Sequence, residues 1–384
     1  MPFVRADIEA MADSPILEVW RMGFSTPDVI GLWAGEPDLP TPRFICDAAT
    51  AALNAGHTFY SQNRGIPELR DAIARYLKRL YGTSISDHRI AATTAGMGAV
   101  QIVCQALLGA GSKAVVITPS WPNIIRAMAI SGAEVVEVPL TRGNQGWSLD
   151  LEAVFEACAP GTKLLYLASP ANPTGWTIER QQAQALLDFA RARGIAILAD
   201  EVYHRIVYDK NVTFSFLEIT QPDDAVFVVN SFSKSWAMTG WRLGWLIYPE
   251  WFLATAEKLI QFNTSGGQAF LQHGGVAALD HGEAFVAEFV GRCASGREIV
   301  TQRLAQMPRV QEVPCNGSFY SMFKVDGVRD TFAFCKTVVT QARVGLAPGV
   351  AFGAGAESLI RLCYAKNPDL LERAMDRLAV FLRA

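Results

Sequence analysis

Lys234 stands among Ser231, Ser233 and Ser235, with Phe232, Trp236 and Met238 as apolar flanks and Arg242 eight residues further on. A charged amine is costly beside apolar neighbours. Desolvation lowers its pKa and leaves a free amine that attacks carbonyls. Arg242 offers a planar fork that grips a phosphate at two points. Together they suit a carbonyl compound with a phosphate handle. Asp200 closes the apolar run 195–199, so it is placed to be buried, where a carboxylate stabilises a proton on a nearby ring nitrogen. Arg361 interrupts the apolar run 359–364, an expensive position unless an anion pairs with it. Gly96, Met97 and Gly98 follow a strand pattern and precede a helical run over 99–108. Glycines there let backbone N–H groups approach an anion at a helix N-terminus. Trp121 follows another strand and offers a flat face to a ring. Taken singly, each has a plainer use: a solvated lysine, an exposed strand-end aspartate, a strand–helix turn, core filling for Trp121, an ion pair for Arg361.

Positioning these residues falls to an alternation of short apolar runs and helix-period segments between about 89 and 248. Strands are expected at 89–93, 114–118, 134–138, 163–168, 195–200, 225–230 and 243–248. Several are apolar almost throughout, as strands covered on both faces must be. Thr177 is read as the cap of a helix whose Ala183, Leu186, Leu187 and Ala190 share one face, ended by Arg191, Arg193 and Gly194. The pattern predicts an α/β fold with a mostly parallel sheet and helices on both sides. Ligands in such sheets bind beyond the carboxyl ends of the strands, where Asp200, Ser231 and the loop 169–175 fall. Residues 1–40 read as irregular, with five prolines. From about 285 helices mix with short strands, and a last helix begins at Pro368 after Asn367.

Composition narrows the function classes. The 384 residues are half hydrophobic and 18% charged, the signature of an ordered globular protein with a large core. A net charge of -3 gives no reason to expect nucleic acid or an anionic membrane as partner. The seven cysteines and five histidines are dispersed, so neither a disulfide framework nor a metal site is expected. Residues 1–7 lack a basic region followed by an apolar run, and no stretch is long and apolar enough to span a bilayer; a cytoplasmic location is the expectation.

The segment 231–244 resembles the cofactor-lysine motif of the class I/II aminotransferases, the aspartate aminotransferase-like group of fold-type I pyridoxal-phosphate-dependent enzymes. Asp200, Glu201 and Tyr203 match the family's Asp-Glu-x-Tyr pattern, and Asn172, Pro173 and Gly175 its Asn-Pro-x-Gly turn, in the same chain order. The resemblance covers nearly the whole chain. It implies a large domain over 41–280 with a seven-stranded sheet, and a smaller α+β domain from 1–40 and 281–384. It also implies pyridoxal 5'-phosphate as cofactor, bound covalently by Lys234, with Asp200 at the ring nitrogen and Tyr203 and Asn172 at the ring's 3'-oxygen. Trp121 then stacks on the ring. Gly96, Met97, Gly98, Ser231, Ser233 and Arg242 take the phosphate, joined by Tyr60 of a neighbouring subunit in a homodimer. Arg361, Gly35 and Asn172 face the substrate carboxylate.

The leading function is transfer of an amino group between an amino acid and a 2-oxo acid, with Lys234 as general base. A carbon–sulfur β-lyase on the same scaffold is the alternative. A non-enzymatic sensor is the third reading, although no basic patch or N-terminal extension supports DNA binding. One subgroup of aspartate aminotransferases holds the side-chain carboxylate with a second arginine from the loop before the small domain. Residues 243–291 contain no arginine. A neutral or apolar donor is therefore expected, with Trp20, Trp33 and Trp121 as lining and with Arg21 and Arg126 as the alternative sources of a second cation.

Overall fold

The computed structural model describes residues 3–383. Met1 and Pro2, part of the N-terminal stretch read for a sorting signal, lie outside the described residues, as does Ala384.

Seven strands build the largest sheet: β1 Ile90–Thr94, β2 Lys113–Thr118, β3 Glu134–Pro139, β4 Thr162–Ala168, β5 Ala196–Asp200, β6 Val226–Ser231 and β7 Leu243–Ile247. Their order is β1-β7-β6-β5-β4-β2-β3. The pairs β3–β2, β2–β4, β4–β5 and β5–β6 are parallel, while β7 runs antiparallel to both β6 and β1. Six strands therefore share a direction, and Thr94, Thr118, Pro139, Ala168, Asp200 and Ser231 end them along one edge. Every residue of β5, β6 and β7 is buried, which is why these segments read as apolar runs up to the polar ends of β5 and β6.

All seven expected strands are present, displaced by no more than one residue at either end. The helix after β4 differs at its start. It spans Arg180–Arg193, and Glu179, not Thr177, is its N-cap, in a reciprocal capping box with Gln182. Ala183, Leu186, Leu187 and Ala190 are its buried face, and Gly194 ends it at φ 64°. Residues 1–40 are also less irregular than expected. A helix spans Pro15–Ser25, with Pro15 in its first turn and the Ser14 hydroxyl accepting from Leu17 N.

A second sheet is antiparallel, formed by β8 Val310–Val313, β9 Tyr320–Val325, β10 Ala347–Pro348 and β11 Ile360–Cys363 in the order β8-β9-β11-β10. The short strand Ile30–Gly31 pairs with Val344–Gly345, drawing both ends of the chain together. Apolar side chains gather into two main cores. One surrounds the seven-stranded sheet; the other joins Val19, Ile30 and Leu32 to residues beyond 288, and also takes in Tyr203 and Ile206. The helix Glu283–Ala305 passes between them, with Val286 in the first and Phe289 onward in the second. All seven cysteines are free thiols. Among the described residues, no helix is long and apolar enough to cross a membrane.

Candidate active site

A cavity of about 320 Å³ opens beyond the carboxyl ends of β1, β4, β5 and β6, with residues of β9 and β11 on its other side. Lys234 reaches it from a single helical turn, Phe232–Ser235, that begins where β6 ends. Ser231 fixes this turn: its Oγ accepts from Ser233 N at 3.2 Å and donates to Ser233 Oγ at 2.9 Å. Phe232 and Trp236 anchor the turn in the first core, leaving the lysine to extend into the cavity. There Nζ donates to the Gly35 carbonyl at 2.7 Å. Burial draws the amine's pKa from 10.5 down to about 8, so an appreciable fraction is neutral and nucleophilic near neutral pH.

Asp200 ends β5, buried as expected. Its carboxylate accepts from the Tyr166 hydroxyl at 3.0 Å and from Val202 N at 3.2 Å. Burial nonetheless raises its pKa to about 6 against the pull of these hydrogen bonds. Neither donor is charged, so a cation in the cavity would be its most favourable partner.

Arg361 shows the opposite need. It sits on β11 at 3% exposure, its guanidinium 4.5 Å from the centroid of the Tyr320 ring and 4.8 Å from that of Phe352. Nη1 donates to Asn172 Oδ1 at 3.0 Å and Nη2 to the Trp33 carbonyl. Nε is buried without a partner. Among the described residues no carboxylate pairs with it. A buried arginine held only by neutral groups is a site for an anion.

A third group of donors lies where β1 meets the helix Ala95–Leu107. No side chain caps that helix, so its first-turn N–H groups, those of Gly96, Met97 and Gly98, lack intrahelical acceptors. Ala95 at φ 61° and Arg242 at φ 50° are both left-handed, and Ala95 N donates to Arg242 O at 2.9 Å. Each such non-glycine residue costs about 1 kcal/mol, a strain that collects at functional sites. Gly244 on β7 makes room for the helix start: a Cβ there would lie 2.6 Å from Gly96 N and 2.8 Å from Asn230 O. Gly96, Met97, Ser231, Ser233 and Arg242 face the cavity, while Gly98 lies off its wall. Uncapped N–H groups, two hydroxyls and a guanidinium can hold a phosphate.

Trp121, Tyr203 and Gly35 complete the wall. Gly35 must be glycine because a Cβ there would overlap the Tyr320 hydroxyl. Tyr60 is absent from the cavity of its own chain and stands 91% exposed. The expected apolar lining needs correction. Trp33 and Trp121 line the cavity, but Trp20 does not: it is 40% exposed and packs edge-on against Phe24. Ile16, one turn earlier on the same helix face, takes that place. Arg21 and Arg126 lie outside the cavity, on the surface. Among the wall residues not foreseen, two carry hydroxyls, Tyr166 and Tyr320. Tyr166 carries the only hydroxyl in an otherwise apolar stretch of β4, a signal that a buried partner awaits it. Tyr320 opens β9 and gives no comparable signal in sequence.

The sequence profile described as “Aminotransferase class I and II” matches residues 27–378. An aspartate aminotransferase of Pyrococcus horikoshii is 31% identical over 379 residues, 98% of this chain and 96% of that protein. The aromatic-amino-acid aminotransferase 2 of Thermococcus litoralis is 30% identical over 380 residues, 98% of this chain and 97% of that protein. A solved structure of a Thermus thermophilus aspartate aminotransferase single mutant superposes with a TM-score of 0.92 at 29% identity, covering 99% of this chain and all 100% of that one.

Proposed function

The chain belongs to the class I and II aminotransferases, and on that premise we propose roles for the residues of its cavity. It is a pyridoxal-phosphate-dependent transaminase that moves an amino group between an amino acid and a 2-oxo acid. The wall fits that cofactor: an amine, a buried carboxylate lacking a cation, and a donor cluster suited to phosphate border one space. When bound, pyridoxal phosphate supplies an aldehyde that takes up the amino group and a ring that absorbs the electrons left at Cα.

Lys234 would hold the aldehyde, and its free amine is the base placed to move the Cα proton; its lowered pKa suits both tasks. Asp200 would keep a proton on the ring nitrogen, and Tyr203 and Asn172 would hydrogen-bond the ring oxygen. Trp121, on the same wall, would offer its flat face to the ring. The N–H groups of Gly96 and Met97, with Ser231, Ser233 and Arg242, would take the phosphate, while Gly98 lies off the wall. Arg361 grips the substrate's α-carboxylate beside Gly35. The observation that carries this reading is Arg361 itself, buried without an anion in the same cavity as Lys234 and Asp200. A homodimer in the cytoplasm completes the proposal, with the exposed Tyr60 reaching the neighbouring phosphate pocket. Residues 41–280 form the large domain, and 1–40 with 281–384 the small one.

The donor is a neutral or apolar amino acid. The names of the relatives divide between aspartate and aromatic amino acids. Lys234, Arg242 and Arg361 are the only cationic side chains on the cavity wall among the described residues, and each already has a task. A second carboxylate would be desolvated without a partner, a penalty of about 3–5 kcal/mol. A panel of donors in single half-reactions tests this. A specificity constant for aspartate tenfold above those for leucine, phenylalanine and alanine would overturn it. The lyase alternative finds no favour among the relatives, which carry transaminase names.

A further inference from the structure

We infer that Tyr320 is a positioning residue for the reaction: its hydroxyl donates to Tyr203 Oη and thereby commits the Tyr203 proton to the cavity. The inference rests on Tyr203 serving the cofactor's ring oxygen, as proposed above. The two hydroxyl oxygens lie 2.6 Å apart, and among the described residues neither has another hydrogen-bond partner. A phenol has one proton to give, so the pair has two arrangements. With Tyr203 as donor, its proton is used on Tyr320 and only lone pairs face the cavity. With Tyr320 as donor, the Tyr203 proton remains available.

The surroundings select the second arrangement. The backbone of Gly35 presses against the Tyr320 hydroxyl so closely that a Cβ there would overlap it. Were Tyr203 the donor, the Tyr320 proton would be a buried donor without an acceptor, the costlier state. Arg361 and Tyr320 are diagonal neighbours across β11 and β9, with the guanidinium over the Tyr320 ring. Burial pushes both phenols up and Arg361 opposes that at each, but the Asp200 carboxylate adds to the rise at Tyr203 alone, leaving Tyr320 the more acidic of the two. The more acidic hydroxyl is the better donor. A hydroxyl that accepts one hydrogen bond also donates a stronger one. Tyr320 thus stands between the two, its ring against the substrate arginine and its hydroxyl against the cofactor tyrosine.

The test is a pH titration of the visible absorbance of the bound cofactor, without substrate, in wild type, Tyr320→Phe, Tyr203→Phe and the double variant. Tyr320→Phe keeps the ring that Arg361 packs against. Its midpoint should rise, reflecting a roughly two- to threefold weaker stabilisation of the ionised ring oxygen, of the order expected for lost hydrogen-bond cooperativity. Tyr203→Phe should raise it further, and the double variant should match Tyr203→Phe alone, because Tyr320 acts only through Tyr203. If Tyr203→Phe moves the midpoint and Tyr320→Phe does not, the inference falls while the role of Tyr203 stands. An equal shift from Tyr320→Phe in both backgrounds would also overturn it, since a general structural effect needs no Tyr203. A Tyr203→Phe midpoint equal to wild type removes both the inference and the reading beneath it.

Discussion

Replacing Arg361 by methionine should abolish recognition of the substrate carboxylate without unfolding the protein. The guanidinium makes two hydrogen bonds to neutral groups, leaves Nε unpaired, and lies between the rings of Tyr320 and Phe352. A carboxylate arriving there gains two charge-assisted hydrogen bonds at roughly 1.5–3 kcal/mol each, so their loss lowers kcat/KM by about 10²–10⁴-fold. Stability follows different accounting. Asn172 Oδ1 and the Trp33 carbonyl each lose a donor, but a buried charge without an anion is removed at the same time. Methionine is flexible enough to fill the space between the rings. The substrate-free protein should therefore unfold at no lower denaturant concentration than wild type. The assay compares single-turnover rates with phenylalanine and with phenylethylamine, which has the same ring and amine but no carboxylate. The loss should appear with phenylalanine alone. A loss below tenfold, or an equal loss with both compounds, would refute the assignment of Arg361.

Asp200→Asn should cut the catalytic rate far more than it weakens cofactor binding, because the charge that keeps the ring nitrogen protonated is gone; near-normal turnover would show that another group does this. Tyr60→Phe and Lys234→Ala homodimers should each be impaired, and mixing them should restore part of the activity through hybrids with one intact site; a fully active monomer would contradict it. Glu201, buried and hydrogen-bonded by Phe216 N, has its pKa raised from 4.5 to about 8 by desolvation. Its folded-state value lies above the unfolded one, so its stabilising contribution is complete below about pH 4.5 and is lost as pH rises through 8. Stability should fall between about pH 4.5 and 8 at a slope of up to roughly 1.4 kcal/mol per pH unit, and Glu201→Gln should flatten that slope. An unchanged slope in the variant, measured by denaturant midpoints, would rule Glu201 out as its source.

The strands were legible because burial on both faces leaves a continuous apolar run, and the site residues at their ends inherit that clarity. Asp200 and Ser231 are found simply by asking where β5 and β6 stop. Arg361 was legible for the same reason, as a charge inside a buried strand. Tyr320 was not, because its meaning depends on β9 lying beside β11 and on Gly35 arriving from nearly three hundred residues away in sequence, and neither leaves a local pattern. The helix Pro15–Ser25 was hidden by prolines that suggested loop, although Ser14-Pro15 with Glu18 is an acceptable helix start. Thr177 lost the cap to Glu179 because Gln182 completes a box with the latter. Trp20 was misplaced because composition says which side chains could line a cavity, whereas only the direction of the helix says which turn reaches it.

The position of β7 has a consequence for how the chain matures. During synthesis β1 emerges first, yet its only neighbour in the sheet, β7, follows roughly 150 residues later, a pairing of high contact order. Until it arrives, β1 and the near edge of β6 are unpaired and open to association with other chains. The strand that fills the gap directly follows Arg242 and carries Gly244, so closing the sheet and finishing the donor cluster proposed for the phosphate are one event. A ligand that binds only the finished pocket pulls the folding equilibrium toward the closed sheet by mass action. Cofactor supply at the ribosome should therefore govern how much protein is recovered intact, in addition to how active that protein is.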